Sequence, residues 1–139
     1  MSHQSDKELA IHKVMNQLAS AEQKSQAFVG RITRSESLTH NQIMLLFLLQ
    51  LTGRLNITDI AERFIITPGA ASSMCDKLED LGLVVRVRTK EDRRVVNIEL
   101  TDQGTQRILQ LFDTFETAEL DRMSAILRQI NDLIAEIVD

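Results

Sequence analysis

The sequence predicts a mainly α-helical fold with one small β-hairpin. Three observations predict it. Apolar residues recur at steps of three and four along most of the 139 residues. Only one Pro and five Gly interrupt them. The period shortens to two only over Val84–Arg88 and Val95–Leu100, both rich in β-branched residues. With 43% apolar residues, a chain of this length can bury one core.

The first predicted helix covers Asp6–Ile32. Ile11, Val14, Leu18, Ala21, Ser25, Phe28 and Ile32 form one stripe along it. The polar stretch Arg34–Ser37 breaks the pattern. A second helix starts with a capping box from Thr39 to Gln42, and Leu38 and Ile43 are spaced as a hydrophobic staple. It is apolar on nearly all sides to Leu51, which marks it as buried, and Gly53 is a stop signal. A short third helix follows Asn56 as N-cap, with Ile57, Ile60, Ala61 and Phe64 on its apolar face. Ile65-Ile66 makes a tight turn. The fourth helix has Thr67 as N-cap and Pro68 at its first position, and Gly82 ends it. Ala71, Met74, Leu78 and Leu81 are its expected buried face. Thr67, Gly69, Ala70, Ser72, Ser73, Asp76 and Lys77 are expected outside.

The two alternating runs form a hairpin whose loop, Thr89–Arg94, is polar and charged. Thr101 caps a fifth helix, Asp102 to about Phe115, with Ile108, Leu111, Phe112 and Phe115 inward. A sixth carries Leu120, Met123, Leu127, Ile130, Ile134 and Ile137, at alternating steps of three and four. Helix, helix, turn, helix, hairpin is the order of a winged helix-turn-helix. Its core is expected at about residues 38–101, within one domain over 1–139. Helices at about 6–32 and 102–137 flank it.

Charge follows this layout. The formal net charge is −4, yet residues 84–100 carry five basic and three acidic groups, whereas residues 101–139 carry three basic and eight acidic groups. Positive charge gathered on the hairpin suits a protein that touches a polyanion with one face. The second helix of a helix-turn-helix can enter the major groove, and the small outward residues here allow a close approach. The N-terminus at Thr67 is a natural phosphate contact. Arg93 or Arg94 at the hairpin tip can enter the minor groove. Pro68, Gly69, Lys77, Arg86, Arg88 and Lys90 complete the candidate DNA-binding set.

Each of these residues also has a duller role. Thr67 caps a helix whatever else it does. Ser72 and Ser73 can be solvated surface. Arg93 or Arg94 can pair with Asp92 to hold the hairpin. Arg86 and Arg88 can be the outward face of an edge strand, where basic groups discourage strand-to-strand association.

Other function classes lack residues to carry them. One cysteine, Cys75, excludes an internal disulfide framework and fits a reducing cytoplasm. Beside Met74 it reads as a small core residue, and a redox switch there would lack a resolving partner. His3, His12 and His40 have no metal-ligand spacing, and no Gly-rich phosphate loop or nucleophile cluster occurs, so neither cofactor nor enzymatic activity is expected. Met1–Lys7 is polar, and the longest apolar run, Ile43–Leu49, is too short to span a bilayer, so no membrane association is expected. Two apolar seams flanking a small core favour a homodimer, in which Ile11, Val14, Leu120, Met123, Leu127, Ile130, Ile134 and Ile137 meet a second copy. Folding of those helices back within one chain is the alternative.

The run from Asp92 to Gly104 resembles the MarR (multiple antibiotic resistance regulator) family of transcriptional regulators. It contains an Asp-Arg-Arg wing tip, an alternating strand and a Thr-x-x-Gly helix start. Thr67–Ser72 and Lys77–Val84 are similar to that family's recognition helix and its exit. The resemblance implies a triangular homodimer held by its terminal helices and bound to a near-palindromic operator, usually as a repressor. It implies a small-molecule effector held between the dimer helices and the DNA-binding lobe. It gives Arg94, with Arg93, the minor groove, Asp92 the bracing of the wing, and Thr67, Ala70, Ser72 and Ser73 the major groove. Two positions depart from the pattern. Thr89 stands where many relatives have Asp, and Ser73 where many have Arg, Lys or Gln. Serine cannot make the bidentate guanine contact of arginine, which shifts weight to shape readout. A winged-helix module that binds proteins rather than DNA is the alternative that the net charge leaves open.

Overall fold

Local capping chemistry sets where the helices begin. In a computed structural model describing residues 3–34 and 36–138, α1 spans His3–Ile32 and α2 His40–Thr52. The Thr39 amide donates to Gln42 Oε1 at 2.8 Å, and the Gln42 amide donates to Thr39 Oγ1 at 3.2 Å. This is the expected capping box, and it satisfies a glutamine that is itself buried. Leu38 and Ile43, the predicted staple, are both buried. The chain divides into two units, Met1–Leu45 and Leu46–Asp139, with the boundary inside α2.

The second unit carries the helix-turn-helix and the wing. Strand β1 (Leu55–Asn56) precedes α3 (Ile57–Phe64) and α4 (Pro68–Asp80); β2 (Val84–Arg88) and β3 (Val96–Leu100) form the hairpin. The sheet order is β1-β3-β2, all antiparallel. Sequence periodicity does not reveal β1, because two residues carry no period. Asn56 serves twice. It closes β1 opposite Asn97, and its side-chain oxygen accepts from the Asp59 backbone amide at 2.8 Å while the Asp59 carboxylate accepts from the Asn56 backbone amide at 3.3 Å.

Helix α3 packs on α4, and α4 packs on β2. The buried residues include Leu46, Leu49, Ile60, Ala71, Leu78, Val84 and Ile98. The buried face of α4 is Ala71, Cys75 and Leu78; Met74 is half-buried and Leu81 exposed, contrary to expectation. The reason lies at the helix end. Leu81 caps α4, Gly82 takes a positive φ of 77°, and the chain reverses so that Leu83 enters the core instead.

Helix α5 (Asp102–Leu111) ends earlier than its apolar pattern suggests, because Phe112 leaves the helical region. Its ring lies 5.7 Å from that of Phe47 and 6.4 Å from that of Phe115, so the aromatic cluster fills the turn into α6 (Thr117–Val138). Ile108 and Leu111 are buried as expected, and Phe112 and Phe115 half-buried.

The Thr-x-x-Gly start of α5 has a steric cause. The Thr101 amide donates to the Leu83 carbonyl at 3.1 Å, and the Thr101 hydroxyl donates to the Gly82 carbonyl at 2.6 Å. The same hydroxyl accepts from the Gly104 amide at 3.1 Å. A β-carbon at Gly104 would collide with the Leu83 carbonyl oxygen.

Ile65 is strained. It is the C-cap of α3 in the left-handed region (φ 54°, ψ 50°), and it is 92% exposed. A β-branched side chain costs about 1–2 kcal/mol in that conformation, and exposure leaves little packing to offset it. Ile65→Asn is therefore expected to stabilise the fold by about 1 kcal/mol, read as a higher midpoint in thermal or urea unfolding. An unchanged or lower midpoint would contradict the strain assignment.

Candidate nucleic-acid interface

Two exposed features of the second unit carry the candidate chemistry. The first is the N-terminus of α4. Thr67 Oγ1 accepts from the Ala70 amide at 3.1 Å, and the Thr67 carbonyl accepts from the Ala71 amide. Pro68 has no amide hydrogen to leave unsatisfied. Thr67, Pro68, Gly69 and Ala70 are all exposed, as are Ser73 and Lys77 further along, while Ser72 is half-buried. This surface is small-chained and polar, and the Thr67 hydroxyl keeps its own hydrogen to donate.

The second is the wing tip. Lys90, Arg93 and Arg94 are exposed there. Asp92 pairs with Arg94 through both carboxylate oxygens: Arg94 Nε donates to Oδ1 at 3.1 Å and Nη2 to Oδ2 at 3.2 Å. The Arg94 amide also donates to Asp92 Oδ1 at 3.0 Å. The arginine side chain nevertheless remains 90% exposed, so it is oriented without being covered. Of the two arginines expected as partner for Asp92, the fold uses Arg94. The hydrogen bonds from the Arg94 side chain, then its amide, hold the Asp92 carboxyl below its usual range. The brace is therefore intact at neutral pH and is lost only as pH falls below that lowered value.

Two further braces escaped sequence reasoning. Thr89 Oγ1 accepts from the Asp92 amide at 3.0 Å and donates to the Asp92 carbonyl at 2.5 Å. A hydroxyl three residues before Asp92 thus organises the turn; the available signal was a Thr opening a polar turn. Arg88 Nη1 donates to the Arg93 carbonyl at 2.7 Å while its side chain remains exposed.

Arg86 is placed differently from the other hairpin cations. Its guanidinium turns onto α4, with Nη2 2.7 Å from Asp76 Oδ1 and Nη1 2.8 Å from Glu79 Oε1. Burial opposes its charge, but the hydrogen bonds to Asp76 and Glu79 outweigh burial and raise its pKa. Neither carboxylate was singled out as its partner from sequence, because β2 and α4 meet only in the fold.

Cys75 lies behind this surface and is fully buried. Burial pushes its thiol up to about 11, against a smaller opposing influence of Arg86. That is the chemistry of a core residue and not of a redox sensor. Among the described residues no group of three His, Cys, Asp or Glu is placed to hold a metal, and no helix is long and apolar enough to cross a membrane.

The terminal helices carry the remaining candidate residues. On α1, Ile11 and Val14 are exposed, together with Leu9, Met15 and Leu18. On α6 no residue is buried; Leu120 and Met123 are half-buried, and Leu127, Ile130, Ile134 and Ile137 are exposed. Ile126, Leu133 and Val138 are exposed too, so the apolar face is wider than the predicted seam.

This arrangement has known counterparts. The profile of the MarR family matches residues 38–96, the helix-turn-helix and most of the wing. The chain is 35% identical over 82 residues to the HTH-type transcriptional repressor MdtR of Bacillus subtilis, a match covering 59% of this chain and 53% of MdtR, about half its length. The crystal structure of the transcriptional regulator BldR from Sulfolobus solfataricus superposes with a TM-score of 0.66 at 24% identity, covering 98% of this chain and 99% of BldR. A mutant of E. coli MarR complexed with operator DNA superposes with a TM-score of 0.65 at 17% identity, over 87% and 95% of the two chains.

The burial of Cys75 gives a direct expectation. A disulfide-exchange reagent such as Ellman's reagent at pH 8 should leave the native thiol unmodified, with labelling appearing only as the protein unfolds. Rapid stoichiometric labelling of native protein would show that the thiol is accessible after all.

Proposed function

Because the chain belongs to the MarR family, we propose that it is a sequence-specific, double-stranded DNA-binding regulator of transcription that acts as a homodimer, with repression as its default action. The observation that carries this reading is the wing tip. Asp92 orients the Arg94 guanidinium without covering it. Such a group enters an adjacent minor groove at low entropic cost and senses its width. The exposed N-terminus of α4 supplies the second contact, with the Thr67 hydroxyl and the Gly69 amide offered to phosphate and Ala70 and Ser73 to base edges, while Ser72, half-buried, is turned to Arg86. Ser73 cannot read guanine bidentately, so shape readout by the wing carries a large share of specificity. The mutant MarR solved with operator DNA shares this fold and supports the same use of it here.

The dimer reading rests on α1 and α6, each of which leaves large apolar side chains exposed. A second copy covers such faces and supplies a paired recognition helix for a near-palindromic operator, with half-sites about one DNA turn apart. Release from DNA by a small ligand or another signal completes the cycle of a repressor. In this reading the protein works in the cytoplasm, without cofactor and without catalysis. A protein-binding winged helix is the second reading, favoured by the overall charge of −4.

A fluorescence-anisotropy titration with duplex DNA from upstream of its own coding sequence separates the two. Binding is expected, and the association constant should fall steeply with salt, with a log–log slope of about −0.9 per phosphate contact. Absence of binding even at low salt would leave the protein-interaction module. Arg94→Ala should weaken operator binding by about 1–3 kcal/mol without changing the oligomeric state; unchanged affinity would refute the role given to the wing tip. Truncation after Phe115 removes α6 and should convert a dimer to monomer or to insoluble chain, as read by light scattering. A soluble, folded dimer from that truncation would rule out α6 as an essential part of the interface.

A further inference from the structure

Arg86 sits in the middle of β2, opposite Ile98 of β3, so it is anchored in the wing. Its side chain reaches α4 at three successive turns. Nη1 meets Glu79 Oε1 at 2.8 Å; Nη2 meets Asp76 Oδ1 at 2.7 Å, the Ser72 carbonyl at 3.3 Å and the Ser72 hydroxyl at 3.4 Å. Ser72, Asp76 and Glu79 follow at steps of four and three, so they form one stripe on the helix. The Arg86 side chain is only 26% exposed, against 90% for Arg94 at the tip.

We infer that Arg86 is a positioning residue that fixes the recognition helix α4 against the wing, and that it is not a phosphate ligand. The inference rests on the DNA-binding reading above. Two carboxylates already occupy its N–H groups at charge-assisted distances, so a phosphate would have to displace them. Two negative groups around one positive group also leave the cluster net negative, which repels the DNA backbone. The fork shape is what the site needs. A guanidinium can hold two carboxylates and a helix carbonyl at once, whereas an ammonium is a point charge that cannot span them.

The consequence is for specificity. Reading a major groove with α4 and the neighbouring minor groove with the wing requires one fixed angle between the two elements. Non-specific binding, which is electrostatic, does not.

The test compares duplexes selected by the wild-type protein from a random-sequence pool with unselected random duplex, across a salt series. Arg86→Lys and Arg86→Gln are each checked for folding by circular dichroism. Both should lower the selected-to-random affinity ratio by about tenfold, the scale of one lost base-pair contact, with the salt slope unchanged. The double variant Asp76→Asn/Glu79→Gln, which releases Arg86, should lower the same ratio. A purely structural role would move the melting midpoint and leave the ratio of the folded variants alone, which overturns the inference. So does a phosphate-contact result: wild-type behaviour in Arg86→Lys, an equal loss on both DNAs with a slope smaller by about 0.9 in Arg86→Gln, and uniformly tighter binding with an unchanged ratio in the double variant. If the wild type selects no duplex and binds none at low salt, the DNA-binding reading itself fails, and this inference with it.

Discussion

Three elements meet at the hydroxyl of Thr101, and the helix-turn-helix and wing of the second unit are organised around that joint. The side chain binds the carbonyl that ends the α4 turn and the amide in the first turn of α5, while its own amide binds the Leu83 carbonyl beside β2. Each such hydrogen bond contributes only about 1 kcal/mol net. Their geometric effect is larger, because the approach they enforce leaves no room for a β-carbon at Gly104. Gly82 must take a positive φ for the same reversal. Helix α4, the hairpin and α5 therefore leave one point in fixed directions.

From that joint the hairpin extends outward with little apolar support. Its tip is held by polar contacts: Thr89 and Arg94 to Asp92, and Arg88 to the Arg93 carbonyl. Most of these groups are exposed, and exposed ion pairs stabilise a fold only weakly. Their role is to restrict orientation. A wing held this way presents its arginine in a narrow range of directions. Arg86 is the opposite case, half-buried and saturated by two carboxylates. One strand thus carries a cation turned inward and another that supports the tip.

The apolar residues divide in a comparable way. Those of α3, α4 and the sheet are largely buried, among them Ile60, Ala71, Leu78, Val84 and Ile98. On α1 and α6 they remain in contact with solvent. Exposed apolar faces are a common feature of protein interaction sites, and in the proposed assembly a second copy of the chain covers the face of each helix.

Much of this was legible without coordinates. Caps at Thr39, Asn56, Thr67 and Thr101 are local, since each side chain bonds an amide three residues away, and all four helices start where these residues stand. The hairpin was legible from its period, and the pairing of Asp92 with a neighbouring arginine from their adjacency. What remained hidden depends on distance along the chain. Strand β1 exists because Leu55 and Asn56 find Ile98 and Asn97, more than forty residues on. The replacement of Leu81 by Leu83 in the core follows from the direction in which Gly82 turns the chain. Arg86 read as one more cation on a basic strand until the strand was laid beside α4. Short-range hydrogen bonding and periodicity are written in neighbouring residues, so the sequence by itself determined the helices, the hairpin and the charge they carry. Which of those charges stays exposed at the hairpin tip and which is turned onto another helix is a long-range pairing, and only the tertiary structure decided it.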